Sequence, residues 1–421
     1  MPSSSTLSLG QASYELLDAL VTTSTNRDQT KTATVRAEFR GGVIDPGEVT
    51  VAFGNRSGDI STLNIADESF GLSILDGDLS PTTSYPNQTS YPNPTLPSAP
   101  AGGANARVNL MADAEQAQIA LGQGDNKLFA AKDLLRSTVS AGLGDDTVRI
   151  GGSASYTELN LGGGDNSVLV AKDSEGLSVN VGEDDIHDAG SDTLLFLGSL
   201  TAAGYGFENT INTRGGDDFI SFTGGLEGGD QGEYLVHAGA GDDTILFGYQ
   251  SDSNNFDLDT GEGSDFIALG RSTENADIRL GYGAGSDTLV LGLDADITAS
   301  DIHSSQTGGD HLYLSGYVAE SDFYLGNGGD FIGLYGAGVN SSFDLGYDDV
   351  MDIVELTDSF GSYDGITISN FGEEDILIIG DMSGDYEEYG YADFSNMDYD
   401  SKLGQFLLSN QVISKNGYFP M

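Results

Sequence analysis

The sequence predicts an all-β fold: a parallel two-sheet β-solenoid, β-roll-like, with coils of about 20 to about 26 residues. A small N-terminal β-rich segment and a C-terminal cap complete it. Three observations predict it. The 421 residues hold 60 Gly and only 9 Pro without a three-residue period, so collagen is excluded and tight turns are expected throughout. One unit, Gly239-Ala240-Gly241-Asp242-Asp243-Thr244-Ile245-Leu246-Phe247-Gly248, recurs at Gly142–Gly151, Gly261–Gly270, Gly283–Gly292 and Gly326–Gly333. After each acidic corner, apolar residues alternate with period two, which is the strand period.

Residues 1–80 lack the glycine–aspartate signature. Tyr14, Leu16, Leu17, Leu20 and Val21 have the spacing of a short amphipathic helix over residues 11–22. Alternating runs at residues 32–39, 48–53, 61–65 and 70–75 predict strands, separated by Gly41-Gly42, Asp45-Pro46-Gly47 and a turn over residues 55–59. This segment is a cap or an anchoring and assembly module. Residues 81–105 carry six of the nine prolines, in a linker or an arm that docks on a neighbouring subunit.

The array is expected over residues 106–380. Anchoring each copy on the residue before its strand gives Asn126, Asp146, Asn166, Asp192, Asp218, Asp243, Asp265, Asp287, Asp310 and Asp330. Subtraction gives successive intervals of 20, 20, 26, 26, 25, 22, 22, 23 and 20, the elastic period of a solenoid. Two and four residues after the anchor the side chain is apolar, as at Val148/Ile150, Ile245/Phe247 and Leu289/Leu291. A second strand precedes each glycine turn, with inward pairs such as Leu159/Leu161, Phe256/Leu258 and Phe343/Leu345. Each period is therefore strand, turn, strand, turn, repeated about eleven or twelve times at about 4.8 Å per coil. Residues 350–356 and 375–380 look like late, degenerate coils. Residues 381–421 are a C-terminal cap, a secretion signal, or both; Tyr399, Leu403, Phe406, Leu407 and Val412 follow helical spacing.

Charge narrows the function classes. The net charge is -50, from 66 acidic and 16 basic residues. Residues 1–120 hold 13 acidic and 6 basic residues, so the excess belongs mainly to the array. No basic footprint for nucleic acid exists, and an anionic membrane would repel the surface. No apolar stretch is long enough to span a bilayer. The first residues lack the basic start and apolar core of a Sec signal. The absence of Cys removes disulfides, thiolate metal sites and cysteine nucleophiles.

The chemistry concentrates at the turns. The full form Gly-x-Gly-x-Asp occurs at Gly142/Gly144/Asp146, Gly239/Gly241/Asp243, Gly261/Gly263/Asp265, Gly283/Gly285/Asp287 and Gly326/Gly328/Asp330. Glycine permits positive φ, which aims backbone carbonyls inward, and the Asp adds a carboxylate. Stacked coils place these oxygens in a column, the hard donor set that several Ca²⁺ ions prefer. Metal-free Gly/Asp turns are the competing reading. The run of Gly-x-Gly-x-Asp followed by an apolar residue resembles the calcium-binding repeats-in-toxin (RTX) β-roll over roughly residues 120–335. The resemblance implies Ca²⁺ held by the turn Asp and nearby carbonyls, folding after export, type I secretion with an uncleaved C-terminal signal, and cell-surface roles that include S-layer proteins and adhesins. This chain departs from that pattern: the motif appears once per coil, and Asn126 and Asn166 replace the Asp.

The expected function is a self-assembling extracellular structural protein, an S-layer, sheath or filament subunit, partnered with itself and with cell-surface polysaccharide. No enzyme activity, nucleic-acid partner or membrane insertion is expected. An adhesin is the alternative. A β-helix lyase or epimerase is a further one, but cations such as Arg214, Arg271 and Arg279, and the four His residues, are scattered along the chain.

Overall fold

A computed structural model describes residues 7–9, 18–38, 48–51, 60–66, 68–70, 72–76, 105–182, 190–204, 209–228, 234–248, 252–281, 285–293, 295–304, 307–357, 366–380 and 386–390. The chain divides into two compact units, one of residues 1–215 and 229–232, the other of residues 216–228 and 233–421. Each is a parallel β-solenoid, and no helix occurs among the described residues.

In the first unit, the strands that leave the glycine turns stack in register. Ile60–Ile65, Arg107–Leu110, Lys127–Ala130, Thr147–Ile150, Ser167–Val170 and Thr193–Phe196 pair parallel in that order. The strands that enter the turns form a second ladder, from Glu48–Val51 and Ser73–Asp76 through Gln118–Ala120, Thr138–Ser140 and Thr157–Gly162 to Leu177–Val181. The second unit repeats both ladders. Its exit strands run from Phe219–Phe222 to Ile376–Gly380, and its entry strands from Tyr234–Ala240 to Thr367–Ser369.

The two predicted sheets are joined by a third, short ladder at the far corner. Its strands are two or three residues long, as in Ser253–Asn254, Thr273–Glu274 and Asp296–Thr298. A residue of positive φ follows most of the short strands and re-aims the chain, for example Asn255, Asn275 and Asn340 at φ 50, 52 and 50°. Asn tolerates this region better than most residues.

Period two explains the core. Val148, Ile150, Leu159, Leu161, Ile245 and Leu258 all have zero exposure. Because coils stack in register, like residues stack on like. Phe222, Phe247 and Phe256 pack with centroids 5.0 and 5.3 Å apart, and Phe323 and Phe343 at 4.6 Å. No single coil encloses its own apolar residues, so burial comes only with neighbours.

The helix predicted over residues 11–22 is corrected where the chain is described. Asp18–Thr25 is a strand, antiparallel to Lys31–Glu38. The β-branched run Val21-Thr22-Thr23 and a tight turn at residues 26–30 outweigh the local helical spacing. The N-terminal strands join the array's ladders rather than forming a sheet of their own: Lys31–Glu38 pairs parallel with Ile60–Ile65, which pairs with Arg107–Leu110. Antiparallel strands end the parallel stacking, Leu7–Leu9 on Glu48–Val51 in the first unit and Tyr386–Gly390 on Ile376–Gly380 in the second. The proline-rich stretch and the helical spacing after Tyr399 lie outside the described residues.

Candidate metal-binding edge

The anchor residues form a buried column along the glycine-turn edge of each unit. Asn126, Asp146, Asn166, Asp243, Asp265, Asp287, Asp310, Asp330, Asp352 and Asp375 are each at most 3% exposed. One oxygen of each is used identically. The backbone N–H of an anchor donates to Oδ1 of the anchor in the following coil: Asn126 to Asp146 at 2.8 Å, Asp146 to Asn166 at 3.1 Å, Asp243 to Asp265 at 2.8 Å and Asp330 to Asp352 at 2.8 Å. Burying these polar groups is tolerable because each coil satisfies the last.

The second atom of the planar group separates Asn from Asp. Nδ2 of Asn126 donates to the carbonyls of Gly122 and Gly124, at 3.2 and 2.6 Å. Nδ2 of Asn166 donates to Gly162 and Gly164, at 3.0 and 2.9 Å. These are the glycines four and two residues before the anchor, the two glycines of the motif. An Asp whose Oδ1 makes the same bond places Oδ2 where those amides place Nδ2, so an acceptor faces acceptors. Accordingly, Oδ2 of Asp146, Asp243, Asp287 and Asp330 is buried without a hydrogen-bond partner. Such an atom needs either a proton or a cation.

The electrostatics agree. Burial pushes the carboxyls of Asp146, Asp243 and Asp330 up to about 8, against the opposing pull of the N–H groups that donate to them. Burial likewise raises Asp287 and Asp352 to about 7. At Asp265 burial also raises the value, and the Thr260 hydroxyl pulls it back. Neighbouring anchors add like-charge repulsion, Asp218 and Asp265 acting on Asp243.

Glycine is required where coils touch. Gly241 and Gly263 have φ of 139 and 149°. A Cβ on Gly263 would lie 1.8 Å from the Gly241 carbonyl oxygen. Gly142, Gly144, Gly239, Gly241, Gly261, Gly263, Gly326 and Gly328 take the expected turn positions, as does Gly285, while Gly283 lies outside the described residues. Among the described residues, Asp146, Asp243, Asp265 and Asp330 thus each follow both of their turn glycines, and Asp287 follows Gly285.

Three features went unread in the sequence. Asp352 and Asp375 continue the column, at 22 and 23 residues beyond the preceding anchor, each before an alternating apolar strand. A second, exposed column runs one residue earlier: the N–H of Asp145 donates to Asp125 at 3.2 Å, that of Asp165 to Asp145 at 3.0 Å and that of Asp242 to Asp217 at 2.9 Å. The far corner carries buried hydroxyls instead of carboxylates. Ser300 and Ser321 accept from Ala276 and Ser300 N–H, at 3.1 and 3.2 Å, and donate to Thr298 and Ala319 carbonyls, each at 2.8 Å. A hydroxyl both accepts and donates, so Ser300 and Ser321 are satisfied without a cation.

Among the described residues, no three His, Asp or Glu side chains converge on one point. A cation here would take one inner Oδ2 and glycine carbonyls, a set that fits a hard, flexible ion such as Ca²⁺. The chain matches no family model, no curated protein and no solved structure.

Proposed function

We propose that this protein is a self-assembling structural solenoid of the cell exterior, whose glycine-turn edge takes up several calcium ions. One observation carries the reading: Asp places an acceptor where Asn126 and Asn166 place a donor, facing two glycine carbonyls. A calcium ion at that point satisfies all three oxygens and removes the repulsion along the column. The net charge of -50 gives the same ions a second role, neutralising the chain as it compacts. The calcium-rich exterior suits such sites, and regular coils offer repetitive surfaces for lateral assembly.

The test is calcium binding by calorimetry, with thermal melting in calcium and in EGTA. Calcium is expected to raise Tm by many degrees, with several ions per chain. Equal Tm in both conditions, with no heat of binding, would overturn the calcium assignment. Electron microscopy in calcium should reveal sheets, tubes or filaments.

A further inference from the structure

Charge is segregated between the two units, and the segregation points to how copies meet. In the first unit, the outer face of the exit ladder carries Arg107 and Lys127 side by side on adjacent coils, with Arg149 opposite Phe129 on the next. All three are exposed. Arg107 and exposed Arg27 line a shallow hollow of about 520 Å³, together with Asp28, Asn64 and Asn109. Among the described residues none of these four cations has an ion-pair partner. At the glycine edge the patch is bounded by Asp125 and Asp145.

In the second unit, the outer face of the entry ladder carries the opposite charge. Asp257, Asp277, Asp301 and Asp322 occupy one row on four successive coils. Asp259 and Asp344 stand in the adjacent row, and Arg279 pairs with Asp277. Oδ1 of Asp259 and Oδ1 of Asp277 are buried without hydrogen-bond partners. Both charged rows repeat at the coil rise of about 4.8 Å, so cations of one row match carboxylates of the other in register.

We propose that the basic face of the first unit docks on the acidic row of the second unit of a neighbouring copy. This rests on the self-assembly reading and supplies its contact. The occupant is a second copy because its carboxylates already stand at the spacing of Arg107 and Lys127. The contact joins two different surfaces, so when repeated head to tail it builds a ring, a filament or a lattice. Complementary charge sets both register and rate of encounter.

The experiment is a charge swap read by sedimentation velocity at saturating calcium and low salt. One variant carries Arg107→Glu, Lys127→Glu and Arg149→Glu; the other carries Asp257→Lys and Asp301→Lys. All but Asp257 are exposed, and circular dichroism checks the fold; the milder Arg107→Gln, Lys127→Gln, Arg149→Gln variant replaces any that misfolds. Each variant alone is expected to associate at least ~10-fold more weakly than the unaltered chain, and an equimolar mixture to recover association. Unchanged association of either variant, or a mixture that stays dispersed, overturns the proposal. So does binding of polygalacturonate through Arg107 and Lys127 while self-association is untouched, which assigns the patch to an anionic polysaccharide. If the unaltered chain stays monomeric at every calcium level, the assembly reading itself fails; if it assembles and the variants assemble equally, only this contact fails.

Discussion

At the residue scale, the second side-chain atom of each anchor decides the chemistry. Asp243→Asn reproduces the environment of Asn126 and Asn166. In EGTA at pH 8 it is expected to stabilise the fold by about 1–3 kcal/mol, because an unpaired buried oxygen becomes a donor to two carbonyls. The same variant should bind one calcium ion fewer by calorimetry; an unchanged stoichiometry would remove Asp243 from the sites. Asp243→Ala is expected to destabilise by about 1–3 kcal/mol in either condition, since the Asp218 N–H loses its acceptor at 2.8 Å. The pH dependence follows from the raised carboxyls. Asp146, Asp243 and Asp330 hold protons up to about 8 in the folded chain and lose them near 3.8 when unfolded, so the folded chain binds more protons in between. Stability in EGTA should therefore be highest near pH 4 and fall as pH rises to about 8, at up to about 1.4 kcal/mol per pH unit for one group titrating alone. If calcium occupies the proposed sites it replaces the proton, so it should flatten that slope and release protons on binding. A melting profile that rises with pH in EGTA would contradict the assignment.

At the element scale, each coil has two unlike corners. The glycine corner packs backbone on backbone, and Gly263→Ala forces a Cβ against the Gly241 carbonyl at a φ that disfavours any side chain. It is expected to cost about 3 kcal/mol or more, measured by denaturant unfolding. The far corner runs on hydroxyls. Ser321→Ala leaves the buried Ser300 N–H without its acceptor and should cost about 1–3 kcal/mol, with no change in calcium binding. The period and the Gly-x-Gly-x-Asp corner were legible because each coil repeats them locally. The far corner was not: Ser300, Ser321 and Ser341 share a position, but the N–H groups that donate to them lie 20 or more residues away. From Asp18 onward the helix expected over residues 11–22 gave way to a strand for a related reason, since that outcome depended on Lys31–Glu38, which pairs with it.

At the scale of the whole molecule, self-repulsion sets the terms. With a net charge of -50, counter-ions decide whether the array compacts. Calcium at ten times its Kd adds about 1.4 kcal/mol per site, so a few sites rival the stability of an ordinary domain. Sodium chloride at matched ionic strength screens exposed columns such as Asp125–Asp145–Asp165 but leaves the buried oxygens unpaired. Calcium should therefore raise Tm well beyond sodium chloride in a side-by-side melting series; equal effects would mean that screening alone stabilises the chain.

The sequence by itself determined the coil, its elastic period, the inward apolar pairs and the glycine–aspartate corner, because these patterns lie within a few neighbouring residues. Only the tertiary structure decided that one Asp oxygen accepts from the preceding coil while the other is buried without a hydrogen-bond partner. It alone placed the N-terminal strands in the same ladders, and Arg107 beside Lys127 apart from the row of Asp257, Asp277, Asp301 and Asp322. The reason is physical: those relations join residues one coil or more apart, and their register exists only once the coils have stacked.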